Sequence, residues 1–300
     1  MRDHTERLSS ALEVLDGLSV GDALGEALSY QYYRARELRD FSAFSDGSVR
    51  YTDDTEMAIA IVETLGLMRT IEEDAIAWSF ASRFRQDPDR GYGRMARRLL
   101  DEISAGADWR DVSAAAFGGG SFGNGAAMRV APLGAYFADE LESIPEIAAS
   151  SARVTHHHPE GIAGAIAVAI ATATSLSYRG RSENDAAEAV WTATIEHTPA
   201  STVRDRISHA RQLRDRTNEE AAREVGNGAE ISAQDTVPFC IWNACRCLGD
   251  YPEALISSIE VGGDCDTNCA IVGGIVAGYS GVEAIPEQWL RVREPLKIRH

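Results

Sequence analysis

Two short acidic runs hold most of the chemistry this chain can offer. Thr52-Asp53-Asp54-Thr55 and Asp264-Cys265-Asp266-Thr267 both mix hydroxyl and carboxylate side chains, and both lead into apolar stretches rich in Ala and Gly. Such residues suit a helix N-terminus, where unpaired N–H groups and the helix dipole favour negative charge. They also suit hard cations: Mg²⁺ and its relatives take oxygen ligands, and Thr and Asp side chains on one first turn can converge on an ion. Thr52, Asp53, Asp54, Asp264, Asp266 and Thr267 supply two hydroxyls and four carboxylates. Brought together without cations, those carboxylates would repel and raise one another's pKa values. Two divalent ions, roughly 3.5–4 Å apart, relieve that repulsion. That the runs meet is an expectation from ligand chemistry; helix capping alone is the plainer account of each.

Three further segments accompany them. Gly21-Asp22-Ala23-Leu24-Gly25, taken alone, reads as a turn or cap. Residues 116–125 contain five glycines, including Gly123 and Gly125 on either side of Asn124. A loop of that kind is either a flexible connector or a cradle whose bare backbone N–H groups approach a phosphate or ribose. Thr155-His156-His157-His158 offers imidazoles, for which contact with a ligand hydroxyl or phosphate is a better expectation than metal ligation.

The elements that must position these groups read as helices. Leu8, Leu12, Leu15 and Leu18 share one helix face, as do Met57, Ile61 and Leu65 behind the first acidic run. Helical patterns continue over about 72–85, 94–103, 144–153, 160–178, 183–196, 203–214, 236–248, 252–259 and 267–279. The Arg/Glu-rich stretch 202–224 reads as one solvated helix. Glycines 273, 274 and 278 weaken an isolated helix by roughly 1 kcal/mol each, so they imply close packing on another backbone. No set of alternating strands, internal repeat or low-complexity linker is visible. The expected fold is all-α, with residues 1–300 as one domain.

Composition narrows the functions. The chain has 300 residues, 44% of them hydrophobic, and 29 basic against 46 acidic side chains give a net charge of −17. Its field repels polyphosphate at long range, which disfavours coating of nucleic acid. An anionic ligand remains possible where cations line the site. The apolar segments 161–176 and 270–279 are rich in Ala and Gly and fall short of a strongly apolar bilayer span. Five cysteines without a CxxC pair fit a reducing compartment, and the first residues carry no apolar leader. A cytoplasmic location is the expectation.

Together and in this order, the motifs resemble the ADP-ribosylglycohydrolase family, which includes the dinitrogenase reductase-activating glycohydrolase. The resemblance runs from residues 17–25 through Thr52-Asp53-Asp54-Thr55-Glu56-Met57, residues 123–129 and Thr155-His156 to Gly263-Asp264-Cys265-Asp266-Thr267 and residues 278–281. It implies a compact orthogonal multi-helix bundle with two Mg²⁺ or Mn²⁺ ions in a central cleft. The implied ligands are Thr52, Asp53, Asp54, Asp264, Asp266 and Thr267, with Asp266 as a bridge. Asp22, Ser121, Gly123, Asn124, Gly125 and His156 are implied to bind substrate, with the glycine loop holding diphosphate and ribose. The implied partner is the ADP-ribose moiety of a modified protein or small molecule, and the implied reaction is hydrolysis of the ribosyl C1″ bond. A negative pocket suits the oxocarbenium character of that reaction, and a carboxylate such as Asp54 suits activation of water.

Two positions depart from the family pattern. Many members carry Glu four residues after the last glycine of the first motif, where this chain has Ser29; Glu26 shares its helix face and is the candidate replacement acid. Ser121 stands where the arginine-directed branch carries Asp, which resembles the serine- or ADP-ribose-directed branch. Two rival readings stay open: a two-metal phosphoester or pyrophosphate hydrolase, and a non-catalytic ADP-ribose-binding relative.

Overall fold

The computed structural model describes residues 2–29 and 45–299, and these form fifteen α-helices with no strand among them. In order they are α1 (His4–Ser29), α2 (Asp53–Met68), α3 (Glu73–Gln86), α4 (Arg94–Ser104), α5 (Trp109–Ala115), α6 (Ala131–Tyr136), α7 (Ile144–Arg153), α8 (Pro159–Ser177), α9 (Glu183–His197), α10 (Thr202–Gln212), α11 (Asn218–Val225), α12 (Ala233–Arg246), α13 (Tyr251–Glu260), α14 (Cys265–Ser280) and α15 (Glu287–Val292). Two isolated β-bridges pin loops to distant segments, Val49 to Arg293 and Gly123 to Ser232.

α1 and α14 form the centre of the bundle. Gly17, Gly21 and Gly25 fall one helical turn apart and present a bare stripe to α14. A Cβ on Gly21 would strike the carbonyl of Cys269, and one on Gly25 would lie 2.7 Å from the Asp266 Cα. Gly273 of α14 meets Gly17 from the other side, and Gly274 abuts Ala131 of α6. The helical cost of these glycines is offset by the close approach of two backbones and the apolar surface it buries. As a result α1 is buried on nearly all sides from Val14 to Gly25, with only Asp16 less than fully covered. The turn or cap expected at Gly21–Gly25 is corrected: the segment lies inside α1, because packing on α14 overrides the glycines' weak helix propensity.

The all-α expectation holds, and the observed helices match the periodic segments to within a few residues. The solvated helix expected over 202–224 is corrected to two helices, α10 and α11, split at Thr217. Thr217 and Glu220 form a reciprocal capping box that starts α11. Neither helix is solvated all round: Val203, Ile207, Ala210, Ala221 and Val225 are buried, and both helices pack on α12. α5, α6 and α15 escaped the periodicity because six or seven residues give too few turns to show one. α8, at 19 residues, is long and apolar enough by composition to cross a bilayer, but 78% of its apolar window is buried within the protein. All five cysteines are free thiols.

Candidate active site

The site begins where α1 holds the start of α2. Asp22, fully buried, accepts hydrogen bonds from the Thr52 amide at 2.9 Å, the Thr52 hydroxyl at 2.8 Å, the Thr55 amide at 3.1 Å and the Thr55 hydroxyl at 2.6 Å. A carboxylate from another helix thus satisfies orphan N–H groups of α2 and complements its dipole. Thr52 is also the N-cap of α2, its side chain accepting from the Asp54 amide. The Asp22 contacts are with α2, and no hydrogen bond from the glycine-rich loop reaches it.

The two acidic runs come together. The C-terminal turns of α1 lie on the start of α14 through Gly25 and Asp266, and α2 also packs on α14. Burial, then Asp266, pushes Asp22 up to about 7. Burial, then the neighbouring carboxylates, drives Asp53 and Asp54 well above the ordinary carboxylate range. Asp264 is raised to about 7 by burial and by Asp266. Five carboxylates from three helices therefore share one electrostatic site. Glu26, part-buried on the last turn of α1, is raised by burial and by the same Asp266. Ser29 hydroxyl donates to the Glu26 carbonyl at 2.9 Å, so the two residues flank one turn next to the acids.

The glycine-rich loop reaches this cluster through Asn124. Its side-chain amide donates to Asp264 Oδ2 at 2.6 Å and to the Thr236 hydroxyl of α12 at 3.0 Å. Ser121 Oγ accepts from the Gly123 amide at 3.2 Å. His156 closes the far side: a Cβ on Gly125 would lie 2.9 Å from its Cε1, and one on Gly123 would lie 3.4 Å from its Nε2. Gly118 and Gly120 take left-handed backbone angles, φ +79° and +89°, as does Phe117 at φ 53°. Gly120 also has no room for a side chain, since a Cβ would meet the His157–His158 backbone. Ser121, Gly123, Asn124, Gly125 and His156 thus line one loop, and that loop touches Asp264.

The donor set fits divalent cations. Thr52, Asp53, Asp54, Asp264, Asp266 and Thr267 offer only oxygen, the preference of Mg²⁺ and Mn²⁺. Asp54 Oδ2 is buried without a hydrogen-bond partner among the described residues, a free acceptor in an already anionic site. As the side chains stand, no three His, Cys, Asp or Glu residues among those described are drawn around a single point. The fit rests on donor chemistry and on repulsion that cations would relieve.

An outer layer fixes the first acidic run. Arg90 donates to the Tyr51 carbonyl at 2.9 Å, and its own carbonyl accepts from the Asp53 amide at 2.6 Å. Glu294, from the C-terminal segment, pairs with the Arg90 guanidinium and accepts from the Tyr51 amide at 3.0 Å. Arg83 binds Glu56 and Glu63 of α2 at 2.8 Å each. Sequence reading missed Arg90 and Glu294, because nothing local links partners so far apart. Arg129 carried a better signal: it is the single charge in the apolar run from Ala126 to Leu133, and it is fully buried.

The scaffold is all-helical among the described residues, and it gathers an acidic cluster beside a glycine-rich, histidine-lined loop. Residues 3–299 match the ADP-ribosylglycohydrolase family. The ADP-ribosylhydrolase ARH3 of Bos taurus is 32% identical over 92% of this chain and 86% of its own length. The ADP-ribosyl-[dinitrogen reductase] glycohydrolase of Rhodospirillum rubrum is 26% identical over 93% of this chain and 88% of its own. A solved structure described as an ADP-ribosylglycohydrolase-related protein complex superposes with a TM-score of 0.65 at 23% identity, covering 96% of this chain and 93% of the other, and supports the fold. The chain belongs to the ADP-ribosylglycohydrolase family, and it is a glycohydrolase by that membership.

Proposed function

We propose that the protein is a divalent-cation-dependent hydrolase that cleaves the ribosyl C1″ bond of ADP-ribosylated side chains or small ADP-ribosyl compounds and releases ADP-ribose. The observation that carries this reading is the tie between Asn124 and Asp264, which sets a phosphate-compatible loop directly against an oxygen-rich acid cluster. When bound, two Mg²⁺ or Mn²⁺ ions held by Thr52, Asp53, Asp54, Asp264, Asp266 and Thr267 supply Lewis acidity and offset the charge of an anionic ligand. Ser121, Gly123, Asn124, Gly125 and His156 hold the diphosphate and ribose. The carboxylates stabilise positive charge as it develops at C1″. Water attacks C1″, its proton passes to a carboxylate such as Asp54 or Glu26, and the C1″ bond to the leaving side chain breaks. The leaving atom takes up a proton. Ser29, at the position where many members carry Glu, leaves Glu26 as the nearest acid on that turn.

Relatives named for ADP-ribosyl hydrolysis support the substrate class. Ser121 in place of an acid favours serine-linked over arginine-linked ADP-ribose. The test pairs calorimetric titration of ADP-ribose, in Mg²⁺ and then in EDTA, with chromatography of products from serine- and arginine-ADP-ribosyl peptides. Metal-dependent binding and free ADP-ribose as product are expected. AMP as product would move the site to pyrophosphate hydrolysis; binding without turnover would make the protein a non-catalytic reader of ADP-ribose.

A further inference from the structure

We propose that Arg129 and Thr155 act as positioning residues that set the tautomer of His156, keeping its ring proton on Nε2 so that the imidazole presents an N–H donor to an oxyanion held in the glycine-rich loop. The oxyanion half of this statement rests on the functional reading above. The tautomer half stands on geometry alone.

Arg129 is 1% exposed, its guanidinium 4.2 Å from the centre of the Phe80 ring. One of its terminal nitrogens, Nη2, donates to the Ser151 carbonyl at 3.0 Å and to Thr155 Oγ1 at 2.8 Å. A guanidinium has donors and no acceptor, so Thr155 Oγ1 must be the acceptor in that bond. The other polar neighbour of this buried hydroxyl is His156 Nδ1, at 2.8 Å. If Nδ1 carried the ring proton, Oγ1 would accept twice and its own proton would have no acceptor among the described residues. That leaves a buried donor unpaired, the more costly arrangement. The hydroxyl therefore donates to Nδ1, whose lone pair is occupied, and the proton of the neutral ring resides on Nε2.

The imidazole stays neutral because burial opposes its charge and the nearby Arg129 cation adds to that, holding the pKa down at about 3. Its Nε2 edge faces the loop at Gly123 and Gly125, and Ser121 Oγ lies 3.2 Å from the position a Cβ would take on Gly123. The hydrogen bond that His156 makes to a described residue through its ring is at Nδ1, and none joins Nε2 to a described residue. A neutral N–H donor and a hydroxyl thus converge where the missing glycine side chains leave space, an arrangement for a phosphate-type oxygen. The buried cation, the threonine and the imidazole form a one-way chain of donors that ends at the ligand.

The experiment is a long-range ¹H–¹⁵N correlation spectrum of ¹⁵N-histidine-labelled protein at pH 7, with His156 assigned by its absence in His156→Gln. The expected spectrum shows a neutral ring protonated at Nε2. In Thr155→Val the pattern shifts to a mixture of tautomers or to the Nδ1–H form, and in Thr155→Ser it returns to that of the native protein. A native ring protonated at Nδ1, a charged ring, or a Thr155→Val spectrum identical to the native one would overturn the proposal. The native spectrum does not depend on how Thr155→Val folds, so a poorly folding substitution at that position leaves it decisive. ADP-ribose titration of the same samples should show about tenfold weaker binding in Thr155→Val and near-native binding in Thr155→Ser. An Nε2–H ring in a protein that binds no ADP-ribose would overturn the ligand reading while upholding the positioning role.

Discussion

The Asn124 side chain donates to Asp264 Oδ2 at 2.6 Å, joining the glycine-rich loop to the late acidic run across 140 positions of sequence. Burial and Asp266 raise Asp264 to about 7, and the Asn124 donor opposes them by favouring the charged carboxylate. Hydrogen bonds to charged groups contribute about 1.5–3 kcal/mol, and loss of one would translate into 10- to 100-fold weaker ligand binding if the loop and the acids act as a unit. Asn124→Ala should weaken ADP-ribose binding in Mg²⁺ by that factor. Asn124→Asp, which sets a carboxylate against Asp264, should weaken it further. Equal affinities for all three proteins by calorimetry would show that loop and acids work independently.

On the proposed function, the same cluster should set the response to metal. Asp53 and Asp54 are buried and Asp264 is half-buried, the three carboxylates lie in one another's field, and cations that bind only the folded state stabilise it by mass action. Saturating Mg²⁺, at about 100 times its Kd, should raise stability by roughly 2.7 kcal/mol over the EDTA-treated protein, a Tm gain of several degrees. Asp53→Ala and Asp266→Ala should keep helical circular dichroism, lose this gain and lose ADP-ribose release. Full activity in either variant would remove the dinuclear assignment.

Packing of α1 on α14 holds that cluster in place, and it can be tested one methyl group at a time. Gly21→Ala drives a Cβ into the Cys269 carbonyl, a backbone atom that cannot turn aside. Overpacking of this kind costs about 1–3 kcal/mol, and the shift separates Asp22 on α1 from α2. Gly93→Ala is the matched control, because Gly93 has extended backbone, φ −61° and ψ 153°, and open space around its Cβ position. Urea denaturation should find the first variant destabilised by about 2 kcal/mol or more and the second within about 0.5 kcal/mol of native.

These contacts show what a sequence discloses and what it withholds. The carboxylate and threonine runs were legible because adjacent residues carry the signal, and the long periodic helices were legible for the same reason. Their meeting was not, since it depends on Gly17, Gly21 and Gly25 admitting α14, a fit between two surfaces. Asp22 looked like a turn residue; its five-membered motif holds no sign that Thr52 and Thr55 would supply its partners. Arg129 was visible as a lone charge among apolar residues, but its partners Ser151 and Thr155 lie 22 and 26 positions away.

Glu294 illustrates the same point at the other end of the chain, and it yields a prediction. It pairs with Arg90 and accepts the Tyr51 amide, so the C-terminal segment braces the residue that precedes Thr52. The Arg90 side chain is 2% exposed, and without the Glu294 charge it keeps Asp87 at 2.9 Å and Glu56 at 3.7 Å, so the buried cation is only partly compensated. Glu294→Gln should cost about 1–2 kcal/mol and weaken Mg²⁺ affinity several-fold. Glu287→Gln, which breaks an exposed pair with Arg291, should cost less than about 0.5 kcal/mol. A Glu294→Gln protein with native stability and native Mg²⁺ affinity would show that the tail only covers the site.

Acid should weaken the fold through His156. Its folded pKa of about 3 lies below the ordinary value of 6.5, the causes being burial and then the Arg129 charge. As pH falls below 6.5 the unfolded chain takes up a proton that the folded ring refuses, so stability declines over the window from about 6.5 down to about 3. At pH 5 the unfolded state is favoured by about 2 kcal/mol from this residue alone, since each unit is worth about 1.4 kcal/mol. His156→Gln carries no such group and should lose about 2 kcal/mol less than the native protein between pH 7.5 and pH 5, measured by urea denaturation at both values. Parallel losses in the two proteins would mean that the ring accepts its proton in the folded state, and the buried, neutral imidazole beside Arg129 would have to be abandoned.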